Sequence, residues 1–358
     1  MRTPLQGGLP PVEAVAGPVV EIACDESGFS GTNLLDPATP LITHASVDLT
    51  VDEAADLISA LRSSSHELKS GPFLRGPRAA EALQLFLTAL CGRALVHLVD
   101  KKFFLATRIV DLLLAEPSYA AGTRLTQGQR PAALALLRKG SVSVALLAAF
   151  ADLVRPKRRQ PAGQAVDRFV RSWEAVAGAA AGAGPRAGAG AASGSGDGGG
   201  LRRGVGPGAA SGSGDGAGPR AVAGPGAGSE AGLDGLDPRR VRDLVSRLDD
   251  DDRSIPPPLE PLLPALAETI LFWNDGGRRR VLVTHDEQSA LTADRLARLR
   301  DALAVDGVSP LAGLTMVDSR DDPRVQLADL LAGVARRSPE SDGLRPLISP
   351  TSLLPALW

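Results

Sequence analysis

The sequence predicts a mixed α/β fold, and three observations predict it. Short apolar runs of strand length, rich in Val, Ile and Leu, recur along the chain. Longer stretches with apolar residues at helical spacing separate them. The resulting order is two strands, helices, a strand, helices, a strand, a helix, a strand and a helix. That order fits a mixed sheet flanked by helices.

Val19 to Cys24 is the first strand. "PLITHASVDL", Pro40 to Leu49, alternates after a loop containing Gly, Asn and Pro, and reads as its hairpin partner. Thr50 is placed to cap a helix in "TVDEAADLISALRS". "GPRAAEALQLFLTALCG" is a second helix, with Pro77 near its start and Gly92 past its end. "ALVHLVD", Ala94 to Asp100, is the third strand. Helical spacing then fills residues 102–115, 129–153 and 164–177, and again 237–248 and 260–273. Arg278 to Asp286 is a buried-type strand, followed by an amphipathic helix from Gln288 to Ala304. "LAGLTMVDS" supplies the last strand and "DPRVQLADLLAGVARR" the last helix.

Between these halves, residues 178–235 are almost entirely Ala, Gly, Pro, Ser, Arg and Asp. "GAASGSGDG" occurs at Gly190 to Gly198 and again at Gly208 to Gly216. Bulky apolar side chains are nearly absent, so burial cannot offset the entropy of ordering, and a disordered linker is expected. The organisation expected is therefore an N-terminal tail (1–17), the first part of one domain with a helical expansion (18–177), the linker (178–235) and the second part of the same domain (236–358).

Composition excludes several classes. Of 358 residues, 44% are hydrophobic and only 3% aromatic, so a core must be built from Leu, Val and Ala. The net charge of −2 neither advertises nor forbids nucleic-acid binding, because local patches decide that. Cys24 and Cys91 are too few for a disulfide framework and read as buried thiols of a reducing compartment. No signal-peptide core and no run of membrane-spanning length is present, so a cytoplasmic location without membrane contact is expected.

Chemistry concentrates in acids at strand ends. Asp25 and Glu26 follow the first strand, Asp100 the third, and Asp286 the fourth. Asp329 stands inside the last helix between Ala328 and Leu330, where an acid is costly unless paired or metal-bound. If the fourth strand pairs parallel to the first, Asp25 and Asp286 leave adjacent strands about 5 Å apart. Asp100 then lies two strands away, about 10 Å, at the rim. Such a set of hard oxygens suits Mg²⁺ or Mn²⁺. Glu26 should point to the opposite sheet face from Asp25.

"DESG" (Asp25 to Gly28), "VDK" (Val99 to Lys101), "HDE" (His285 to Glu287) and "QLADLLAG" (Gln326 to Gly333) together resemble the domain-of-unknown-function 3800 family. "SSSHELKSG", Ser63 to Gly71, resembles that family's Glu-x-Lys segment. The resemblance covers about residues 18–110 and 278–335. It implies a ribonuclease H-like sheet with an acidic Mg²⁺ site. Asp25, Asp286 and Asp329 fall on the matching acids, with Glu67 on the Glu-x-Lys segment. The implied chemistry is metal-assisted hydrolysis of nucleic-acid phosphodiesters. Lys69 and Lys101 are placed to contact a phosphate, and Glu26 and Asp100 to support the ligands. The alternative is a catalytically inactive nucleic-acid-binding or scaffold module. The basic runs "RPKRRQ" and "GRRR" suit a phosphate backbone in either case.

Overall fold

Val19–Ser27 (β1), Leu41–Val47 (β2), Ala94–Asp100 (β3), Arg280–Asp286 (β4) and Leu311–Val317 (β5) form one sheet in the order β3-β2-β1-β4-β5. These strands belong to a computed structural model that describes residues 9, 17–29, 33–61, 68–125, 130–138, 142–158, 160–182 and 236–355. β2 runs antiparallel to β1 and β3, whereas β4 pairs parallel to both β1 and β5. The mixed sheet is therefore the one the strand order predicts. β1 runs further than its apolar run, so Asp25 and Glu26 lie within the ladder opposite Ala45 and His44.

Alternation along β1 divides the core. Ala23 joins Ala45 and Val47 beneath Pro323–Arg337 (α12), which buries Leu327, Leu330, Leu331 and Val334 against that face. Val51–Ala60 (α1), Ser70–Arg75 (α2) and Ala79–Ala89 (α3) complete the same layer. Ile22 and Cys24 face the other way, against Leu262–Asn274 (α10) and Ala293–Leu303 (α11). α1 starts at the expected cap, Thr50, which forms a capping box: the Glu53 amide donates to Thr50 Oγ1 at 3.2 Å, and the Thr50 amide to Glu53 Oε2 at 2.7 Å.

The helical expansion builds its own core. Lys101–Ile109 (α4) continues into a π-helical turn at Val110–Leu114. Tyr119–Gly122 (α5), Arg130–Arg138 (α6), Val144–Leu153 (α7), Ala162–Gly182 (α8) and Pro238–Asp249 (α9) follow. Phe104, Phe150, Phe169 and Leu244 are among the side chains they bury together.

Several sequence expectations shift. One helix expected over 129–153 is two, because Ser143 caps a fresh start by accepting from the Leu146 amide. The helix expected from Gln288 begins at Ala293 with Thr292 as its cap. α8 runs to Gly182, so residues 178–182 are helix rather than linker. Cys91 is exposed, because it follows the end of α3 in a turn, whereas Cys24 is buried. The remaining linker expectation, residues 183–235, lies outside the described residues.

Candidate functional site

The carboxyl ends of β1 and β4 are where the topology divides. The chain leaving β1 turns to β2 on one side, and the chain leaving β4 reaches β5 on the other. Open sheets place ligand sites in the crevice at such a point. Cys24 is level with His285 in the parallel register, so Asp25 and Asp286 follow side by side. Both share the α12 face with Ala23 by strand alternation.

Asp25 is only 5% exposed. Its Oδ1 accepts from the Glu26 amide at 2.7 Å. Burial raises its pKa well above the usual carboxylate range, and the charges of Glu26, Asp329 and Asp286 raise it further. Asp286 is half-buried, with Oδ1 accepting from the Ser319 amide at 3.0 Å. The following helix is capped by Thr292 instead. Asp329, on α12, accepts from Lys69 Nζ at 2.9 Å. Asp286 and Asp329 thus stand close enough to Asp25 to raise its pKa. Even so, among the described residues no group of three His, Cys, Asp or Glu side chains stands ready to hold a metal ion.

Gly333 explains how Lys69 reaches Asp329. A Cβ on Gly333 would lie 2.5 Å from Ser70 Cβ. Only glycine lets the start of α2 sit this close to α12. Lys69 immediately precedes Ser70, and Asp329 is one helical turn before Gly333. The "ADLLAG" segment thus couples an acid to the glycine that admits its lysine partner. Gly28 does a similar task at the tip of β1. Its φ is +87°, and a Cβ would meet the Leu41 carbonyl oxygen at 2.4 Å and Arg336 Cδ at 2.7 Å. Arg336, two turns beyond Asp329 on α12, donates from Nε to Ser27 Oγ at 3.0 Å.

The other expected residues scatter. Glu67 lies outside the described residues. Asp100 caps α4 by accepting from the Phe103 amide at 2.7 Å, and burial raises its pKa. Lys101 is buried, its Nζ donating to Thr39 Oγ1 at 3.0 Å, and burial lowers its pKa. Neither Asp100 nor Lys101 bonds to the acids. "GRRR" lies where β4 begins, the far end from Asp286, with Arg279 Nε donating to the Trp273 carbonyl. It is too remote to hold a phosphate over the acids. The signal that sequence reasoning missed is Arg336, whose seven-residue spacing from Asp329 puts both on one face of α12.

Glu26 points to the α10 face, as alternation requires. It accepts from Gln288 Nε2, and its Oε2 is buried with no hydrogen-bond partner among the described residues. Burial raises its pKa; nearby His285 and the Gln288 bond oppose that shift. On this face His44 stacks on His285, with ring centroids 5.5 Å apart. Thr269 Oγ1 links His44 Nδ1 at 3.1 Å with His97 Nδ1 at 3.2 Å. Burial lowers the pKa of both His44 and His97, the latter to about 3, so these two rings are neutral spacers in the core.

No protein-family model, curated protein or solved structure matches the chain. Among the described residues no helix is long and apolar enough to cross a membrane.

Proposed function

We propose that the protein is a ribonuclease H-like, metal-dependent hydrolase of nucleic-acid phosphodiesters, related to the domain-of-unknown-function 3800 family. One observation carries this reading: Asp25, buried, is surrounded by the charges of Glu26, Asp286 and Asp329. Such crowding is unfavourable without a compensating cation. Asp25, Asp286 and Asp329 offer the hard oxygens that Mg²⁺ or Mn²⁺ prefers. For all three to hold it together, Asp329 would have to give up its contact with Lys69. When bound, the metal polarises the phosphoryl oxygens and lowers the pKa of the attacking water.

The chain's own residues do the rest. Gly28 and the β1–β4 register fix the two strand acids beside each other. Lys69, released from Asp329, and Arg336 on the same side supply positive charge for the scissile phosphate. Water adds to phosphorus and the P–O ester bond breaks. The nucleic acid is held mainly through its backbone.

Cleavage of labelled single-stranded and duplex DNA and RNA with Mg²⁺ or Mn²⁺ tests the reading. Asp25→Asn and Asp329→Asn should each cut the rate on the order of a thousandfold, about 4 kcal/mol of transition-state stabilisation. Nucleic-acid affinity should persist. Absence of metal-dependent cleavage on every substrate would sink the hydrolase. The Lys69–Asp329 ion pair favours a second reading, an inactive binding module in which lysine replaces the metal. Binding without cleavage would select it.

A further inference from the structure

Beside the acids, on the other face of the sheet, lies a cavity of about 380 Å³. That is within the range of roughly 300–1,000 Å³ for small-molecule sites. Its wall begins with Phe29, just past β1, and Ser289 and Ala290, just past β4. It thus opens at the same strand ends as Asp25 and Asp286. Gln288 lies between the end of β1 and the cavity, on the cavity's face of the sheet: its Nε2 donates to Glu26, and its Oε1 accepts from the Ala290 amide at 3.2 Å.

The lining has a particular chemistry. Phe29, Pro257 and Leu259 give apolar surface. Glu260, only 8% exposed, is a buried acid within it. Its Oε1 accepts from the Leu262 amide at 3.2 Å. Arg295 and Arg298 enter from α11, and Arg298 Nε is buried with no hydrogen-bond partner among the described residues. A buried acceptor, guanidinium donors and flat apolar walls together call for a flat heterocycle with N–H groups on one edge and acceptors on another.

We propose that this cavity receives a guanine base of the nucleic-acid strand whose phosphate lies on the acids. Guanine offers adjacent N1–H and N2–H₂ donors to the Glu260 carboxylate, and its O6 and N7 accept from arginine. Adenine and cytosine place a ring acceptor next to their amine, against the carboxylate. Uracil flanks its one N–H with two carbonyls. The inference rests on the proposed function for its substrate class, and it turns a backbone-binding hydrolase into a base-selective one.

Binding of 5′-GMP, AMP, CMP and UMP to the full chain, by calorimetry in EDTA at pH 8, tests it. Burial pushes the Glu260 pKa up to about 7, so at pH 8 the carboxylate is charged. The charges facing it are Arg295 and Arg298 from α11, Glu26 from β1, and Asp251 and Asp252 across the cavity. GMP should bind at least tenfold tighter than the other three. Glu260→Gln should abolish that preference. Ser289→Trp, at an exposed position on the cavity wall, should block GMP without touching the fold. Equal affinity for all four nucleotides, or GMP binding that survives both Glu260→Gln and Ser289→Trp, would overturn the proposal. Chelation separates this outcome from that of the hydrolase, which fails or stands on metal-dependent cleavage alone.

Discussion

Lys69 Nζ stands 2.9 Å from Asp329 Oδ2, joining the start of α2 to the α12 acid whose charge Asp25 feels. The lysine side chain is 52% exposed and the aspartate 20%, so the pair is solvent-screened. Ion pairs of that kind contribute about 0–1 kcal/mol. Its weight lies in competition: a metal at Asp329 must displace it. Lys69→Gln should therefore change stability by less than about 1 kcal/mol. It should also tighten Mg²⁺ binding several-fold, read from the rise of Tm with added Mg²⁺. An unchanged Mg²⁺ response would place Asp329 outside the metal site.

Gly333→Ala tests the same link from the other side. The new Cβ would overlap Ser70 Cβ, 2.5 Å away, and a backbone-anchored atom cannot swing aside. α2 must shift off α12, carrying Lys69 with it. Overpacking of this sort costs about 1–3 kcal/mol. The expected outcome is a lower denaturation midpoint together with the altered Mg²⁺ response of Lys69→Gln. Full stability would mean that α2 is free to move.

Glu260 gives a pH signature of its own. Its pKa is raised from 4.5 to about 7, chiefly by burial. The folded chain therefore holds a proton that the unfolded chain has released between those values, and stability falls as pH rises through that window. The loss is on the order of 3 kcal/mol by pH 8. Glu260→Gln cannot ionise, so its stability should be flatter between pH 5 and 8. Denaturant midpoints across that range measure the difference. Parallel pH profiles for the two proteins would show that Glu260 titrates normally.

What the sequence disclosed depended on range. The five strands are legible because each is a dense apolar run, but the sheet order is only an assumption for the first four, and the place of β5 beside β4 comes from the structure. Asp25 and Asp286 could be matched because parallel register is a local rule repeated along the strands. Asp100 and Lys101 looked equally chemical, yet one caps a helix and the other bonds Thr39. Both uses depend on where β3 sits, two strands from β4. Arg336, Glu260 and Gln288 carried no motif. They gain meaning only when α12, the segment before α10 and the turn after β4 are brought to one sheet edge.

Asp25 poses the sharpest test of the crowded acids. Its pKa is raised by burial first, then by Glu26, Asp329 and Asp286. A carboxyl raised in the folded state favours the protonated form. Stability is then greatest below the unfolded carboxyl value of about 3.9 and falls as pH rises through the folded value. Asp25→Asn keeps the shape and removes the charge. Without metal it should be more stable than the parent at pH 8, with the advantage shrinking as pH falls and the parent carboxyl protonates. Adding Mg²⁺ should reverse the ranking, since the cation stabilises the parent and lacks one ligand in the variant. A structural role for Asp25, through its acceptance of the Glu26 amide, predicts the opposite. The variant would then be less stable at pH 8, where the charged carboxylate is the stronger acceptor, with and without Mg²⁺. Thermal melts at pH 5 and pH 8, in EDTA and in Mg²⁺, separate the two cases, because only a crowded cation site gains stability when a charge is removed and loses its metal response at the same time.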